Sequence, residues 1–278
     1  MRQWLLGFAF LVFSCLPTLA DDWLKALLLF DAGRYEEPIA LLTPLADAGD
    51  LGAQEILYAA YRNGYGVAVD DAAAVRWLEK SVAQGAPTAQ AAMAHHYLEG
   101  RGVAMDSQKA VHWFTLAAQQ GYAPAIHNLA VLTLAGRGVP ADAEEGWRLL
   151  TWAAELDNPD ALFTVGLDRL SRAGDGAAFD LALADLRRAA QLGQREAHAV
   201  LGQLYADFVE APHHLVLSAF HYQMAADAGC VDAVAAADVA AARLSTDEVE
   251  TLAYNLDKWQ VEIDPRDPQP APATCLGS

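Results

Sequence analysis

Cysteine is scarce in this chain. Three occur in 278 residues, at positions 15, 230 and 275. Cys15 lies in an N-terminal apolar segment, so a mature protein keeps two, too few for a disulfide framework to hold the fold. The expected state of Cys230 and Cys275 is two free thiols, with a single bridge tying down the tail as the alternative. Basic residues are scarce as well: 18 Lys and Arg stand against 36 Asp and Glu, a formal charge of −18. A surface this acidic repels phosphate backbones, which excludes nucleic acid as the expected partner. Its plain consequence is solubility.

Long hydrophobic runs are missing too. The longest, Leu5 to Leu16, is too short to span a bilayer comfortably. It follows Met1-Arg2-Gln3 and ends at Pro17, and Thr18-Leu19-Ala20 puts small residues at −3 and −1 of a cleavage site. Residues 1–20 therefore read as a secretory signal, cleaved after Ala20, and the expected location is periplasmic or secreted. Lipoprotein anchoring at Cys15 is the alternative, although Phe13 fits the lipobox of Val12-Phe13-Ser14-Cys15 badly.

Constellations that carry chemistry are equally thin. The histidines His95-His96, His112, His127, His213-His214 and His221 invite a metal reading. Adjacent helical residues point about 100° apart, so His95 and His96 cannot both face one ion. No pair sits at the spacing of a zinc site. The Gly-x-Gly turns lack a third glycine and leave a helix rather than a strand, unlike a dinucleotide-binding loop. No Ser/His/Asp or Cys/His arrangement stands out. The expectation is no metal, no cofactor and no catalysis.

What the chain has is repetition. Gly49, Gly85, Gly121, Gly193 and Gly229 are spaced by multiples of 36 residues, with Asp157 in the one vacancy. An alanine follows four residues later each time, at Ala53, Ala89, Ala125, Ala161, Ala197 and Ala233. A helical repeat of this length predicts an all-α fold, a right-handed α-solenoid of 36-residue helix-turn-helix units. First helices (A) are expected near residues 52–63, 88–99, 124–135, 160–171, 196–207 and 232–243, and second helices (B) near 71–83, 107–119, 143–155, 179–191 and 215–227. Residues 21–49 read as an N-terminal capping pair turning at Gly33, 50–243 as the solenoid, 244–263 as a C-terminal capping helix opened by Ser245 and Glu248, and 264–278 as a disordered Pro-rich tail.

The recurrent residues have packing reasons. The alanine lies where helix A touches the preceding helix B, and a larger side chain would push the two apart. Leu57, Met93, Leu129, Val165 and Leu201 continue that stripe one turn on. Trp77, Trp113, Ala117, Ala153, Ala189 and Ala225 form the facing stripe on helix B. Gly64/Gly66, Gly100/Gly102 and Gly136/Gly138 supply positive φ in the turns, and Asp70, Asp106 and Asp142 are placed to cap helix B.

The pattern A-x-x-x-L-G-x-x-Y-x-x-G-x-G-V-x-x-D-x-x-x-A-x-x-W-x-x-x-A-A-x-x-G, carried over about residues 50–233 and best in Ala89–Gly121, resembles the Sel-one-like repeat family, a relative of the tetratricopeptide repeat. Tyr58, Ala94 and Ala130 replace a glycine of that pattern, the fourth turn moves its glycines to Gly174 and Gly176, and the fifth (Phe208 to His214) has none. The resemblance implies an adaptor or scaffold that holds a protein or peptide, with exported bacterial members often serving envelope processes. It also supplies the runner-up, a β-lactam- or peptidoglycan-binding or hydrolysing envelope enzyme. Such members carry a cysteine pair in each repeat, and this chain does not.

In tetratricopeptide-like solenoids helix A lines the concave face. Its residues off the packing stripe, two, six and nine positions after each repeat alanine, are the candidate partner-binding set. These are Glu55 and Arg62; His95 and Leu98; His127, Val131 and Leu134; and Phe163, Leu167 and Leu170. Ala59, Ala91, Ala199, Gln203 and Ala206 occupy the same positions. The set turns from polar to apolar along the chain, and a contiguous apolar patch marks an interaction site. The alternative is that curvature buries these side chains against neighbouring A helices.

Overall fold

In the computed structural model the described residues are 24–26, 29, 36–174, 176–207, 214–260 and 275. The expected signal (1–20), the Gly33 turn, the fifth inter-helix turn (208–213) and the tail apart from Cys275 lie outside them. The described elements are helices. They are α1 (Glu36–Asp47), α2 (Leu51–Asn63), α3 (Asp71–Ala83), α4 (Pro87–Glu99), α5 (Ser107–Gln119), α6 (Ala123–Ala135) and α7 (Ala143–Glu155). There follow α8 (Pro159–Arg172), α9 (Gly176–Gln191), α10 (Arg195–Asp207), α11 (His214–Asp227), α12 (Val231–Ala241) and α13 (Thr246–Gln260). The chain divides into two compact units, residues 1–146 and 147–278. In the first, each helix from α1 to α6 packs on its sequence neighbour. In the second the same holds from α8 to α12, and α13 folds back onto α11. This is an all-α solenoid of helical hairpins.

Local chemistry sets the helix ends. Asp50, Asp70, Asp106 and Asp142 each accept backbone N–H groups of the first turn they precede, at 2.8–3.1 Å. Asn158 does the same for α8 through the Ala161 N–H at 2.9 Å. Each such cap contributes about 1 kcal/mol. Ser245 forms half of the expected box: its N–H donates to Glu248 at 2.9 Å, and its hydroxyl donates to the same carboxylate rather than accepting from the helix.

Between helices the second turn glycine does more than adopt positive φ. A Cβ on Gly102 would lie 2.4 Å from the Asp71 carbonyl oxygen, and one on Gly138 would lie 2.3 Å from that of Ser107. Each turn thus rests directly on the first turn of the preceding repeat's helix B. Asp157, in the vacancy of the glycine register, takes the left-handed conformation itself at φ 59°. Arg188 holds its carboxylate with two bonds of 2.8 and 2.9 Å.

All six repeat alanines are buried, as are Leu57, Met93, Val165 and Leu201, while Leu129 is half-buried. Gly166 and Gly202 have a packing reason: a Cβ on Gly202 would meet the Tyr222 ring at 2.8 Å, and one on Gly166 would meet Leu186 at 3.1 Å. The fourth turn departs from the others. Helix α8 runs on to Arg172, its cap Ala173 is extended rather than left-handed, and α9 begins at Gly176, three residues before the expected 179.

The free-thiol expectation is overturned. Cys230 and Cys275 form a disulfide with Cα atoms 5.5 Å apart, across a separation of 45 residues. The physical reason is local. Cys230 is fully buried at the start of α12, in the core formed with Ala219, Tyr222 and Ala233. The Cys275 N–H donates to both carboxylate oxygens of Asp232 at 2.9 Å, which carries the tail backbone to the same place.

Candidate partner-binding face

The ten candidate residues fall on the A helices, seven in the first unit and three in the second. None of the ten is buried. Val131 on α6 and Leu167 on α8 are the most open, 47% and 36% exposed. The others are half-buried. Ala91 and Ala199, at the same repeat positions, are buried, so the face is not uniform along the chain.

The first unit holds its candidates in three kinds of setting. Glu55 accepts a 2.6 Å bond from the Thr88 hydroxyl, which ties α2 to α4. Arg62 lies beside Tyr58, and its Nε is buried with no hydrogen-bond partner. Its carbonyl accepts from Arg101, whose guanidinium grips Asp71 at 2.8 and 3.2 Å. His95 sits edge-on against Phe114, ring centroids 5.1 Å apart. Burial lowers its pKa below the usual imidazole value, so it is neutral at pH 7. Its neighbour His96 turns the other way, as adjacent helical residues must. It is buried, with Nδ1 2.6 Å from the Arg101 carbonyl oxygen and Nε2 3.3 Å from the Tyr58 hydroxyl.

Two of the apolar candidates are partly structural. Leu98 packs on the cluster containing Phe114 and Leu132. Leu134 lies so close over α7 that a Cβ on Gly146 would be 2.5 Å from it. Val131 and Leu167 lie at the middle position, six residues after the repeat alanine, and are the more exposed. His127, Phe163 and Leu170 are half-buried.

Sequence reasoning missed the polar seams between repeats. Gln54 donates to the Ala46 carbonyl at 2.9 Å and accepts from Gln84 at 2.8 Å. One period later Gln120 donates to Gln90 at 2.9 Å and to the Gly85 carbonyl at 3.0 Å. The recurrence of glutamine at 54 and 90, and at 84 and 120, was the available signal. His198 was missed as well, and its Nδ1 lies 3.0 Å from that of His221. Among the described residues no three His, Cys, Asp or Glu converge as a metal site. No helix among them is long and apolar enough to cross a membrane.

The Sel1 repeat model matches residues 51–85, 87–122, 123–158 and 215–230. Over those stretches the chain carries Sel1 repeats. Within the expected solenoid the model leaves 159–214 unmatched, where the fourth-turn glycines are shifted and the fifth turn has none, so the departures seen in sequence and the altered fourth turn coincide. Among solved structures the chain is similar to a Sel1 repeat protein from Oxalobacter formigenes, with a TM-score of 0.67 and 24% identity over 84% of this chain and 98% of that one. It is also similar to the Pseudomonas aeruginosa protein 5086, with a TM-score of 0.52 and 18% identity over 76% of this chain and 81% of that one. At these identities the likeness is one of fold. No curated protein matches the chain. Sel1 repeats form a protein-interaction scaffold, and that is the architecture here.

Proposed function

We propose that this chain is an exported Sel1-repeat adaptor that binds a protein or peptide along the outward faces of its A helices, without catalysis. The observation that carries this reading is the open apolar side chain at the middle A-helix position. Val131 in one unit and Leu167 in the other are the most exposed of the ten, 47% and 36%. A chain with twice as many acidic as basic residues does not leave valine and leucine at corresponding points of a repeat for solubility. Each is flanked by half-buried leucine, Leu134 beside Val131 and Leu170 beside Leu167, which widens the apolar strip within each unit. The partner is expected to offer an apolar stripe, and an envelope component is the favoured class.

The Cys230–Cys275 bridge supports export, because disulfides persist in oxidising compartments and are rare in the cytosol. The acidic surface argues against nucleic acid.

The test is a pull-down from envelope extract with the mature chain and with Val131→Ser and Leu167→Ser. Both sites are open, so each variant should melt within about 0.5 kcal/mol of the parent. Loss of the captured partner with folding intact is the expected result. Unchanged capture by the double variant would withdraw the face.

A further inference from the structure

One buried seam in the second unit departs from the repeat. In the first repeat the buried polar residue of helix A is Gln54, whose side chain donates to a carbonyl eight residues earlier, that of Ala46. Four periods on, the same position is His198. Its ring keeps the equivalent bond, to the backbone of Ala190, again eight residues earlier. The other side of the ring has changed partner. Nδ1 of His198 faces Nδ1 of His221 on α11 at 3.0 Å, and the ring centroids are 5.1 Å apart. Centroids set that far beyond the nitrogens place the two nitrogens nearly head-on, the geometry of one N–H···N bond. With Nδ1 engaged by His221, Nε2 is the ring nitrogen left for Ala190; an N–H given there leaves a lone pair on Nδ1 of His198 and assigns the shared proton to His221.

We propose that the His198–His221 pair is an acid-sensitive clasp, which holds α10 against α11 with one proton between the two Nδ1 atoms and opens when a second proton arrives. A proton added to Nδ1 of His198 leaves two N–H donors head to head and places one imidazolium in the seam. Among the described residues the facing groups do not offset that charge: on α12 and α13, which also pack on α11, Asp232 accepts from Cys275, Glu248 accepts from Ser245, and Asp238, Asp247 and Glu250 are exposed. On α9 the facing group is Arg187, a further cation, whose Nε donates to the Tyr205 hydroxyl at 2.8 Å. On α10 the Tyr205 ring stacks on His221 at 5.6 Å, and on α11 Phe220 meets His221 edge-on at 5.2 Å. Of the carboxylates on these three helices, Asp185 is held by Arg169, Glu196 by Arg195, Asp207 by Gln203 and Asp227 by Gln223, while Asp180 is exposed.

The direction of the effect follows from the two titrations. Burial lowers His198 to about 4, and burial with repulsion from His198 and Arg187 lowers His221 to about 3. Opening returns both rings to about 6.5. The open state therefore binds more protons, and the closed state loses ground as pH falls below about 6.5 and onward toward the folded values. Above that pH the clasp is undisturbed.

Hydrogen exchange on the full chain tests this, with α2–α5 as the reference in the same sample. Between about pH 7 and 4.5, protection in α10 and α11 relative to the reference should fall at least about 100-fold. His198→Gln, which restores the residue present at Gln54 and Gln90, leaves only His221 to titrate and should reduce that change by at least about tenfold. His221→Trp, the residue at Trp77 and Trp113, serves the same purpose if the first variant does not fold. Imidazole resonances of the parent give a second reading, with both midpoints expected below about 5. A constant protection ratio in the parent, an undiminished pH response in the folded variant, or His198 and His221 titrating near 6.5 would each overturn the clasp.

Discussion

Replacing Cys275 by alanine removes the bridge while disturbing little else. Cys275 is half-buried, and Cys230, left alone in its buried site, behaves as a small apolar residue. The bridge spans 45 residues, and closing a loop of that length in the unfolded chain is worth about 4 kcal/mol in the chain-entropy model. The closed loop includes α12, α13 and the segment leading to Cys275, so its loss falls on the end of the second unit. The backbone bond from Cys275 to Asp232 is expected to weaken with it. Four kcal/mol corresponds to a drop of about 10 °C in the midpoint for a unit of this size. Calorimetry on the parent, on the parent with dithiothreitol and on Cys275→Ala should give one lowered transition common to the last two. Hydrogen exchange should place the loss in α12 and α13. Parent protein that takes up two equivalents of alkylating reagent without reductant, or a variant melting within 1–2 °C of the parent, would refute the reasoning.

The remaining expectations concern the backbone and the leader. Gly102→Ala places a Cβ 2.4 Å from the Asp71 carbonyl at φ 67°, so it should destabilise by about 2–3 kcal/mol through clash and strain together, read from denaturant midpoints. An unchanged midpoint would mean that the turn does not rest on the preceding helix. At Asp157 the left-handed backbone and the Arg188 pair pull in opposite directions: Asp157→Gly relieves the first and loses the second, whereas Asp157→Ala gains nothing. The glycine variant should be the more stable of the two by about 1 kcal/mol, and equal midpoints would remove backbone strain from the account. Expressed with its own leader in a Gram-negative host, the chain should be recovered from the periplasm with a mass beginning at Asp21. Retention of residues 1–20, or a lipid-modified mass from Cys15, would reject that leader assignment.

Helix positions were legible because a solenoid is nearly one-dimensional. Once glycine and alanine fixed the 36-residue period, each helix could be placed from its neighbours, and most ends agree within one residue. Burial of Ala53 and its equivalents followed from the same register. Contacts outside the period were not legible. The partner of Cys230 sits in a tail with no repeat to position it, and only the tertiary arrangement brings Asp232 and Cys275 together. His198 and His221 lie on successive helices, at positions that carry Gln and Trp in the first repeats. Each substitution looks neutral alone, and the pair has meaning only across the seam.

The candidate face shows why sequence alone could not divide groove from core. Leu134 and Leu98 are the same residue at the same repeat position, and the sequence places both on the concave face. How deeply such a leucine sinks depends on the residue twelve places on, in helix B of its own repeat. That residue is Gly146 after Leu134, and with no Cβ there the leucine settles into space that any larger side chain would contest. After Leu98 it is Ala110, whose methyl group keeps a fully buried place in the cluster on which Leu98 packs. The ninth position is therefore a compromise between packing inward and facing outward, set repeat by repeat by the size of one partner. At the sixth position the partner on helix B lies nineteen places on where one is seen: His95 meets Phe114, and Gln203 accepts from the Tyr222 hydroxyl. Val131 and Leu167 are open, His95 leans on Phe114, and Ala59 is half-buried. A binding face argued from this chain rests on the sixth position first, and a serine at Val131 asks a question about partners that a serine at Leu134 would confuse with folding.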